Sequence, residues 1–139
     1  MSYLIDTNVI SELVKRNPEQ RVVNWLEEIP NESLYLSVLT IGEIRTGIEK
    51  IHDQKKKEKL VLWLEHEIPA WIEQRIIPLD IHILDQWGRL RAHLKQPLPV
   101  IHSLIAATAI YSHLTLVTRN TSDFKWFSQL EMINPWEME

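Results

Sequence analysis

The sequence contains no cysteine, so disulfide bonds and thiolate metal sites are excluded. It also has no apolar run long enough to span a bilayer, and its N-terminus lacks the charged region and apolar core of a signal peptide. An excess of basic residues is missing as well, and a formal net charge of -4 argues against a generally basic nucleic-acid-binding surface. These absences predict a cytoplasmic protein without membrane association. They leave room for an enzyme that holds nucleic acid through metal ions or a local basic strip.

The 139 residues have the composition of a soluble globular protein, with 45% apolar and 24% charged residues. No internal repeat, low-complexity tract or linker divides the chain. Because a chain of this length buries a sizeable core as one unit, we expect a single domain over residues 1–139.

Short apolar segments alternate with longer segments in which apolar residues recur at helical spacing. The predicted strands are residues 3–5, 34–36, 75–79, 115–117 and 132–133. The predicted helices are residues 8–15, 19–29, 38–48, 53–72, 81–94 and 100–112. This alternation indicates parallel strands joined by right-handed crossovers, with helices on both faces. We therefore predict an α/β fold, a three-layer α/β/α sandwich with a short parallel sheet of roughly five strands.

Local signals add detail to these helices. Ser37 is a suitable N-cap for the helix that follows the second strand, and Pro69 is expected to kink or divide the helix of residues 53–72. Two helices have an apolar face that we expect to point inward, formed in one by Val38, Ile41, Ile44 and Ile48 and in the other by Leu84, Trp87, Leu90 and Leu94.

Asp6 follows the first strand directly and stands where a helix begins, in the segment Leu4-Ile5-Asp6-Thr7-Asn8. In open α/β sheets ligands bind beyond the carboxyl ends of the strands, so an aspartate there is well placed for chemistry. The alternative is that Asp6 only caps the helix, as aspartate often does. This segment alone supports the two interpretations equally.

Two further acidic residues take comparable positions. Glu43 lies on the helix after the second strand, between the apolar Ile41 and Ile44, and a surface glutamate beside an apolar stripe is the ordinary alternative. Asp123 follows the fourth strand, and its alternative is a charge in the first turn of a helix. These residues and Asp6 are therefore candidates for one acidic site near the carboxyl edge of the sheet.

Carboxylates held close together repel one another unless a cation lies between them. Hard divalent cations such as Mg2+ and Mn2+ prefer oxygen ligands, usually a few carboxylates with water. Such an ion supplies an activated water and a positive clamp for phosphodiester hydrolysis. The acidic set therefore indicates Mg2+ or Mn2+ as cofactor and phosphodiester cleavage as the reaction.

Five segments follow one another along the chain in the order and spacing of a known family. They are Leu4–Glu12, Leu36–Ile44, Leu104–Ala109, Leu116–Phe124 and Asn134–Trp136. They span nearly the whole chain and resemble PIN-domain proteins of the VapC and FitB type. Each motif is moderately specific, and the ordered set is highly specific.

The resemblance implies a Mg2+- or Mn2+-dependent endoribonuclease that is the toxin of a toxin–antitoxin pair. It implies a homodimer and an RNA substrate whose cleavage leaves a 3′-hydroxyl and a 5′-phosphate. It also implies inhibition by a small DNA-binding antitoxin protein. Contact with operator DNA is expected only through that antitoxin.

Several residues match or adjoin site positions of the family. Three match its acidic catalytic and metal-binding residues: Asp6, Glu43 and Asp123. Three are polar residues that support or lie beside the site: Thr118, Asn120 and Asn8. Two arginines adjacent to these motifs are candidates for contact with RNA: Arg45 and Arg119. The run Lys55–Lys59 is more typical of a solvated helix face than of a phosphate contact.

One position departs from the family pattern. The family has an aspartate, a main metal ligand, before the segment Leu104–Ala107, and this chain has His102 there. The first turn of a helix disfavours imidazolium, and a neutral imidazole suits Mn2+, Zn2+ or Fe2+ better than Mg2+. Three interpretations stay open: an inactivating change, a natural change of metal preference, or a protein that binds partners without catalysis. We favour lowered or lost activity on a nuclease scaffold.

The leading hypothesis is thus a metal-dependent endoribonuclease toxin with reduced or lost activity. The competing hypothesis is a catalytically silent PIN-domain protein that acts through its antitoxin complex, for example in operator binding and autoregulation.

Overall fold

The computed structural model describes residues 1–138. Its strands are β1 (Tyr3–Ile5), β2 (Leu34–Ser37), β3 (Ile76–Ile77), β4 (Thr115–Val117) and β5 (Met132–Ile133). Its α-helices are α1 (Thr7–Glu12), α2 (Gln20–Glu28), α3 (Val38–Glu49), α4 (Gln54–Leu62), α5 (Ile68–Ile72), α6 (Ile81–Ala92) and α7 (Val100–Tyr111). Shorter 3₁₀ turns cover Asn31–Ser33, Thr121–Phe124 and Pro135–Glu137, and a π-helical turn covers Trp63–Glu67. No helix within residues 1–138 has the length and apolar character needed to cross a membrane.

The five strands form one parallel sheet in the order β3-β2-β1-β4-β5. The chain therefore builds outward from β1 to β3 on one side and then returns to place β4 and β5 on the other. Within the sheet, Leu4 of β1 pairs with Tyr35 on one side and with Leu116 on the other. The predicted α/β fold with about five parallel strands and flanking helices is confirmed. The strand order reverses between β1 and β4, and a reversal of this kind opens a crevice at the carboxyl ends of the strands.

Alternating side chains along the strands give the sheet an apolar core on each face. Ile5 and Val117 belong to a cluster with residues of α1, α2, α3 and α5. Leu4 and Leu116 belong to a second cluster, with residues of α7 and the segment around Phe124. Since a parallel sheet needs both faces covered, these two clusters account for the three layers.

Two predicted core positions are wrong. Val38 is 37% exposed and Leu84 is 42% exposed. In α6 the buried residue is Ile83, so the inward stripe begins one position earlier than predicted and then continues through Trp87. Val38 is the first residue of α3, and the buried residues of that helix are Thr40, Ile44 and Ile48.

The irregularity predicted at Pro69 takes the form of the π-helical turn between α4 and α5. Proline lacks an N–H group, and inside an α-helix its ring clashes with the carbonyl four residues earlier, here that of Glu65. Glu65 lies in the π-helical turn, which is wider than an α-helical turn. Leu64, Ile68 and Ile72 are all buried in the first cluster, so the irregular turn is compatible with one continuous apolar face.

Candidate functional site

β1 and β4 end side by side at the reversal of strand order. The backbone N–H of Asp6 donates to the carbonyl of Val117 at 2.9 Å, and that of Thr118 donates to Ile133 at 3.0 Å. The strands therefore stay paired to their last residues. Asp6 and Thr118 leave the sheet next to one another although 112 positions separate them in sequence.

The carboxylate of Asp6 accepts hydrogen bonds on both oxygens. Oδ1 accepts the backbone N–H of Thr7 at 2.8 Å, which makes Asp6 the N-cap of α1. Oδ2 accepts the hydroxyl of Thr118 at 2.8 Å and the side-chain amide of Asn8 at 3.4 Å. Only 7% of Asp6 is exposed. The two alternatives left open for Asp6 are therefore both present, because it caps a helix and also lies at the centre of a polar network.

Thr118 and Asn8 connect the turn after β1 to the turn after β4. The Thr118 hydroxyl oxygen accepts the backbone N–H of Asn120 at 3.1 Å and the amide of Asn8 at 3.4 Å. The side-chain oxygen of Asn8 accepts the backbone N–H of Arg119 at 3.2 Å. These bonds hold the two turns together, and they give Asn8, Thr118 and Asn120 positions beside Asp6.

Glu43 is linked to the same turn through a residue that the sequence reasoning missed. The Thr7 hydroxyl donates to Oε1 of Glu43 at 2.5 Å and lies 3.1 Å from the hydroxyl of Thr40, which is fully buried. Thr40 precedes Glu43 by one helical turn, so both side chains face α1. The adjacency of Thr7 to Asp6 and the three-residue spacing of Thr40 and Glu43 were the available signals.

The electrostatic environment of Asp6 is unfavourable for its own charge. Burial raises the pKa of Asp6 above its ordinary value of 3.8, and hydrogen bonds from Thr118 and Thr7 partly lower it again. The nearby Glu43 carboxylate raises the pKa of Asp6 further, whereas His102 lowers it. The pKa of Asp6 therefore responds to both Glu43 and His102. A positive charge beside Asp6 would offset the free-energy cost of burying its carboxylate.

His102 and Asp123 flank this network differently. The His102 ring, half-buried in the first turn of α7, packs against Phe124 with ring centroids 5.2 Å apart. Asp123 is exposed on the 3₁₀ turn after β4, and its backbone N–H donates to Asn120 at 3.0 Å. Within residues 1–138 no hydrogen bond joins the Asp123 carboxylate to Asp6. Nor does that part of the chain contain three or more His, Asp or Glu side chains grouped closely enough to hold a metal ion.

Asp6 and Glu43 nevertheless fit a hard divalent cation by their chemistry. Mg2+ keeps several waters and is usually held by one or two carboxylates together with substrate phosphates, rather than by a cage of protein ligands. Two neighbouring carboxylates, one of them buried with a raised pKa, match that requirement. Asp123 is exposed, and its part in such a site stays a prediction.

The two arginines predicted to contact RNA differ in how their charge is used. The guanidinium of Arg119 lies over the ring of Trp136, 5.0 Å from its centroid, at the rim of the Asp6 network. Arg45 forms longer ion pairs with Glu49 at 3.8 Å and Glu65 at 3.6 Å. The charge of Arg45 is therefore shared with two carboxylates, whereas the guanidinium of Arg119 is held by the face of an aromatic ring.

Glu12 is a buried carboxylate that no motif or spacing in the sequence singled out. It is 5% exposed, pairs with Lys15 at 2.8 Å and accepts the backbone N–H of Glu19 at 2.9 Å. The hydrogen bond from Lys15 lowers the pKa of Glu12 below its ordinary value of 4.5, and the backbone bond and Arg119 act in the same direction. Glu12 thus stabilises the segment between α1 and α2 through its contacts with Lys15 and Glu19.

Comparison with known proteins gives consistent results. The PIN domain family model matches residues 3–128. Toxin FitB of Neisseria gonorrhoeae is 36% identical over 136 residues, covering 96% of this chain and 97% of FitB. VapC ribonuclease Y4jK of Sinorhizobium fredii is 36% identical over 137 residues, with 96% and 97% covered. The solved structure of FitAB bound to the IR36 DNA fragment matches with a TM-score of 0.89 at 33% identity, covering 99% of this chain and 97% of that chain.

The family model covers most of the chain, and two relatives match over nearly their whole length. The resemblance predicted from the ordered motifs is confirmed, and the chain belongs to the PIN domain family.

Proposed function

We propose that this protein is a divalent-metal-dependent endoribonuclease and the toxin of a toxin–antitoxin pair. The observation that carries the proposal is the pair formed by the buried Asp6 carboxylate and Glu43, joined through Thr7 beyond the carboxyl end of β1. Relatives named Toxin FitB and VapC ribonuclease Y4jK, each 36% identical, support the same activity.

In this proposal Asp6 and Glu43 hold Mg2+ or Mn2+, and Asp123 is the third acidic residue of the site. When bound, the ion neutralises charge on the phosphodiester and makes water a stronger nucleophile. His102 stands beside Asp6 as a weaker ligand for Mg2+, because imidazole suits softer transition metals better than carboxylate does.

The residues of the chain orient the carboxylates and move the proton. Thr118 and Thr7 each hold one oxygen of Asp6, so the carboxylate cannot rotate. Thr7 also engages Oε1 of Glu43, which leaves Oε2 to accept a proton from the attacking water. Water adds across the P–O3′ bond, its hydroxyl stays on phosphorus as part of the 5′-phosphate, and the proton passes to the 3′ oxygen.

Restoring an aspartate at position 102 tests the proposal. A carboxylate there adds an oxygen ligand and a negative charge beside Asp6, so His102→Asp is expected to raise Mg2+-dependent RNA cleavage by about 10- to 100-fold. It is also expected to enlarge the increase in Tm that Mg2+ produces, because a tighter ligand stabilises the folded state more. Cleavage and Tm are measured with Mg2+, with Mn2+ and in a chelator. The control is His66→Asp, the same change at an exposed position.

Two outcomes contradict parts of the proposal. If the unaltered chain cleaves RNA as fast as the His102→Asp variant, the interpretation of His102 is wrong. The nuclease proposal itself fails if both proteins are inert on several RNAs with both metals and if Asp6→Asn leaves the metal-induced change in Tm unaltered.

His102 also favours a second candidate function. A PIN-domain protein with a poor Mg2+ site can act by binding, as part of a complex with its antitoxin on operator DNA. The FitAB structure, which is bound to DNA, supports such an assembly. A net charge of -4 makes direct DNA binding by this chain unfavourable, so the antitoxin provides the DNA contact. We expect the protein to be a homodimer in either function.

A further inference from the structure

The segment from Gln86 to Ser122 contains no aspartate or glutamate, although the protein has 19 acidic and 15 basic residues in all. The segment includes the end of α6, the linker before α7, all of α7 and β4. Its cationic side chains are Arg89, Arg91, Lys95 and Arg119. An acidic protein therefore has one part with a positive local charge.

Two of these cations line a groove between the end of α6 and the first turn of α7. The groove has a volume of about 500 Å3, and we call it the basic groove; it is formed by Gly88, Arg91, Leu94, Lys95, Leu98 and Ser103, with their neighbours. Its wall is fixed by Trp87, whose Nε1 donates to the Ser103 hydroxyl at 2.9 Å.

Both cations of the basic groove are available to a ligand. The Arg91 guanidinium lies over the Trp87 ring, 4.4 Å from its centroid, which orients it without neutralising it. Lys95 is exposed in the linker after α6. In the part of the chain that the structure describes, neither forms an ion pair, whereas Arg89 pairs with Asp85 at 3.0 Å.

The basic groove adjoins the acidic site. Ser103 in its wall directly follows His102, which is near enough to Asp6 to lower the pKa of that carboxyl. The two sites therefore flank the same first turn of α7. A flexible polyanion that binds one of them extends naturally to the other.

We propose that the basic groove binds single-stranded RNA on its way to the acidic site; this rests on the proposed nuclease function. Arg91 and Lys95 bind phosphates, and the apolar surfaces of Leu94 and Leu98 contact sugars or unstacked bases. Single-stranded RNA offers both charged backbone and free base faces, whereas a duplex keeps its bases stacked inside.

The test measures binding of a labelled single-stranded oligoribonucleotide in a chelator, so that metal-dependent cleavage does not interfere. Each phosphate contact on a single strand contributes about 0.7 to the slope of log K against log salt concentration. Arg91→Gln with Lys95→Gln is therefore expected to reduce the slope by about 1.4 and, near 0.1 M salt, to weaken binding roughly 25-fold. The charge-preserving pair Arg91→Lys with Lys95→Arg is expected to bind within a few-fold of the unaltered chain.

The matched control is Lys55→Gln with Lys56→Gln, which removes two exposed charges at the start of α4. If this control weakens binding as much as the groove variant, or if the unaltered chain binds no RNA, the proposal is overturned. It is likewise overturned if the groove variant weakens binding of duplex DNA but not of RNA. Failure of cleavage with intact, groove-dependent RNA binding would instead contradict the nuclease function alone.

Discussion

Asp6 shows how one carboxylate serves both the backbone and the site. Its Oδ1 completes the first turn of α1, and its Oδ2 accepts the Thr118 hydroxyl from the neighbouring strand end. A carboxylate that is held on both oxygens keeps one orientation, which is what a metal ligand or a catalytic group requires. The geometry of the site therefore depends on Thr7 and Thr118 as well as on the acidic residues.

Thr118→Val tests this dependence. The substitution keeps the shape of the side chain but removes the hydroxyl that donates to Asp6 and accepts from Asn120. Loss of a hydrogen bond to a buried group is expected to lower the free energy of unfolding by about 1–3 kcal/mol. RNA cleavage is expected to fall about 10- to 100-fold, since the ligand loses its orientation.

The control for that substitution is Thr115→Val, at the start of β4, the strand that Thr118 follows, because Thr115 is buried but is not a donor to Asp6. Urea denaturation and cleavage assays compare the two variants. Equal loss of cleavage in both would show that the hydroxyl of Thr118 has no particular role.

Glu12 predicts a specific pH dependence of stability. Its pKa is lowered in the folded protein, chiefly by Lys15, so the folded state binds fewer protons than the unfolded state around pH 4. The stabilisation is complete above the ordinary pKa of 4.5 and is lost as pH falls from there through the lowered value. Glu12→Gln is expected to cost about 1–3 kcal/mol at pH 7.

The difference between Glu12→Gln and the unaltered chain is expected to shrink as pH falls below about 4.5. Urea denaturation from pH 7 down to roughly pH 3.5 measures it. Glu27→Gln, on the exposed side of α2, is the control and should show little effect at any pH. A difference that grows on acidification would contradict the assigned direction of the Glu12 pKa.

At the scale of elements, α3 carries Glu43 to the site, and its start is fixed by Ser37. The Ser37 hydroxyl accepts the backbone N–H of Leu39 at 3.1 Å, as the sequence predicts for an N-cap. Ser37→Ala is expected to cost about 1 kcal/mol of unfolding free energy. The control is Ser33→Ala, just before β2, the strand that Ser37 ends. It removes a hydroxyl that caps no α-helix, and urea denaturation compares the two variants. An equal loss in both variants would rule out a capping role.

Element boundaries and inward faces were predicted less well than element types. Strand and helix periods separate clearly in this sequence, so the five strands and the helices could be recognised from residue pattern. Leu84 was wrongly predicted to point into the core because Ile83 and Leu84 are adjacent and both apolar, so either could begin the inward face of α6. Only packing of α6 against α7 selects between them, and a local pattern does not contain that information.

At the scale of the whole molecule, the site depends on contacts that a sequence period does not contain. The positions after strand ends pointed to Asp6 and Thr118, whose contact follows from pairing of β1 with β4. Thr7 and Thr40 were missed because their meeting with Glu43 depends on how α3 packs against α1. Asp123 also follows a strand end, and it is exposed on its 3₁₀ turn, with no side-chain hydrogen bond to the Asp6 network among the described residues. The metal-binding roles of Asp6, Glu43 and Asp123 stay a prediction.

The central position of β1 has a consequence for synthesis of the protein on the ribosome. Asp6 is translated near the start, but its partner Thr118 is made 112 residues later. At about 5–20 residues per second, the two leave the ribosome roughly 6 to 22 s apart. During that interval the nascent chain has neither β4 nor the hydroxyl that orients Asp6. An RNA-cleaving site of this design therefore stays unassembled until Thr118 has left the ribosome, close to the end of synthesis.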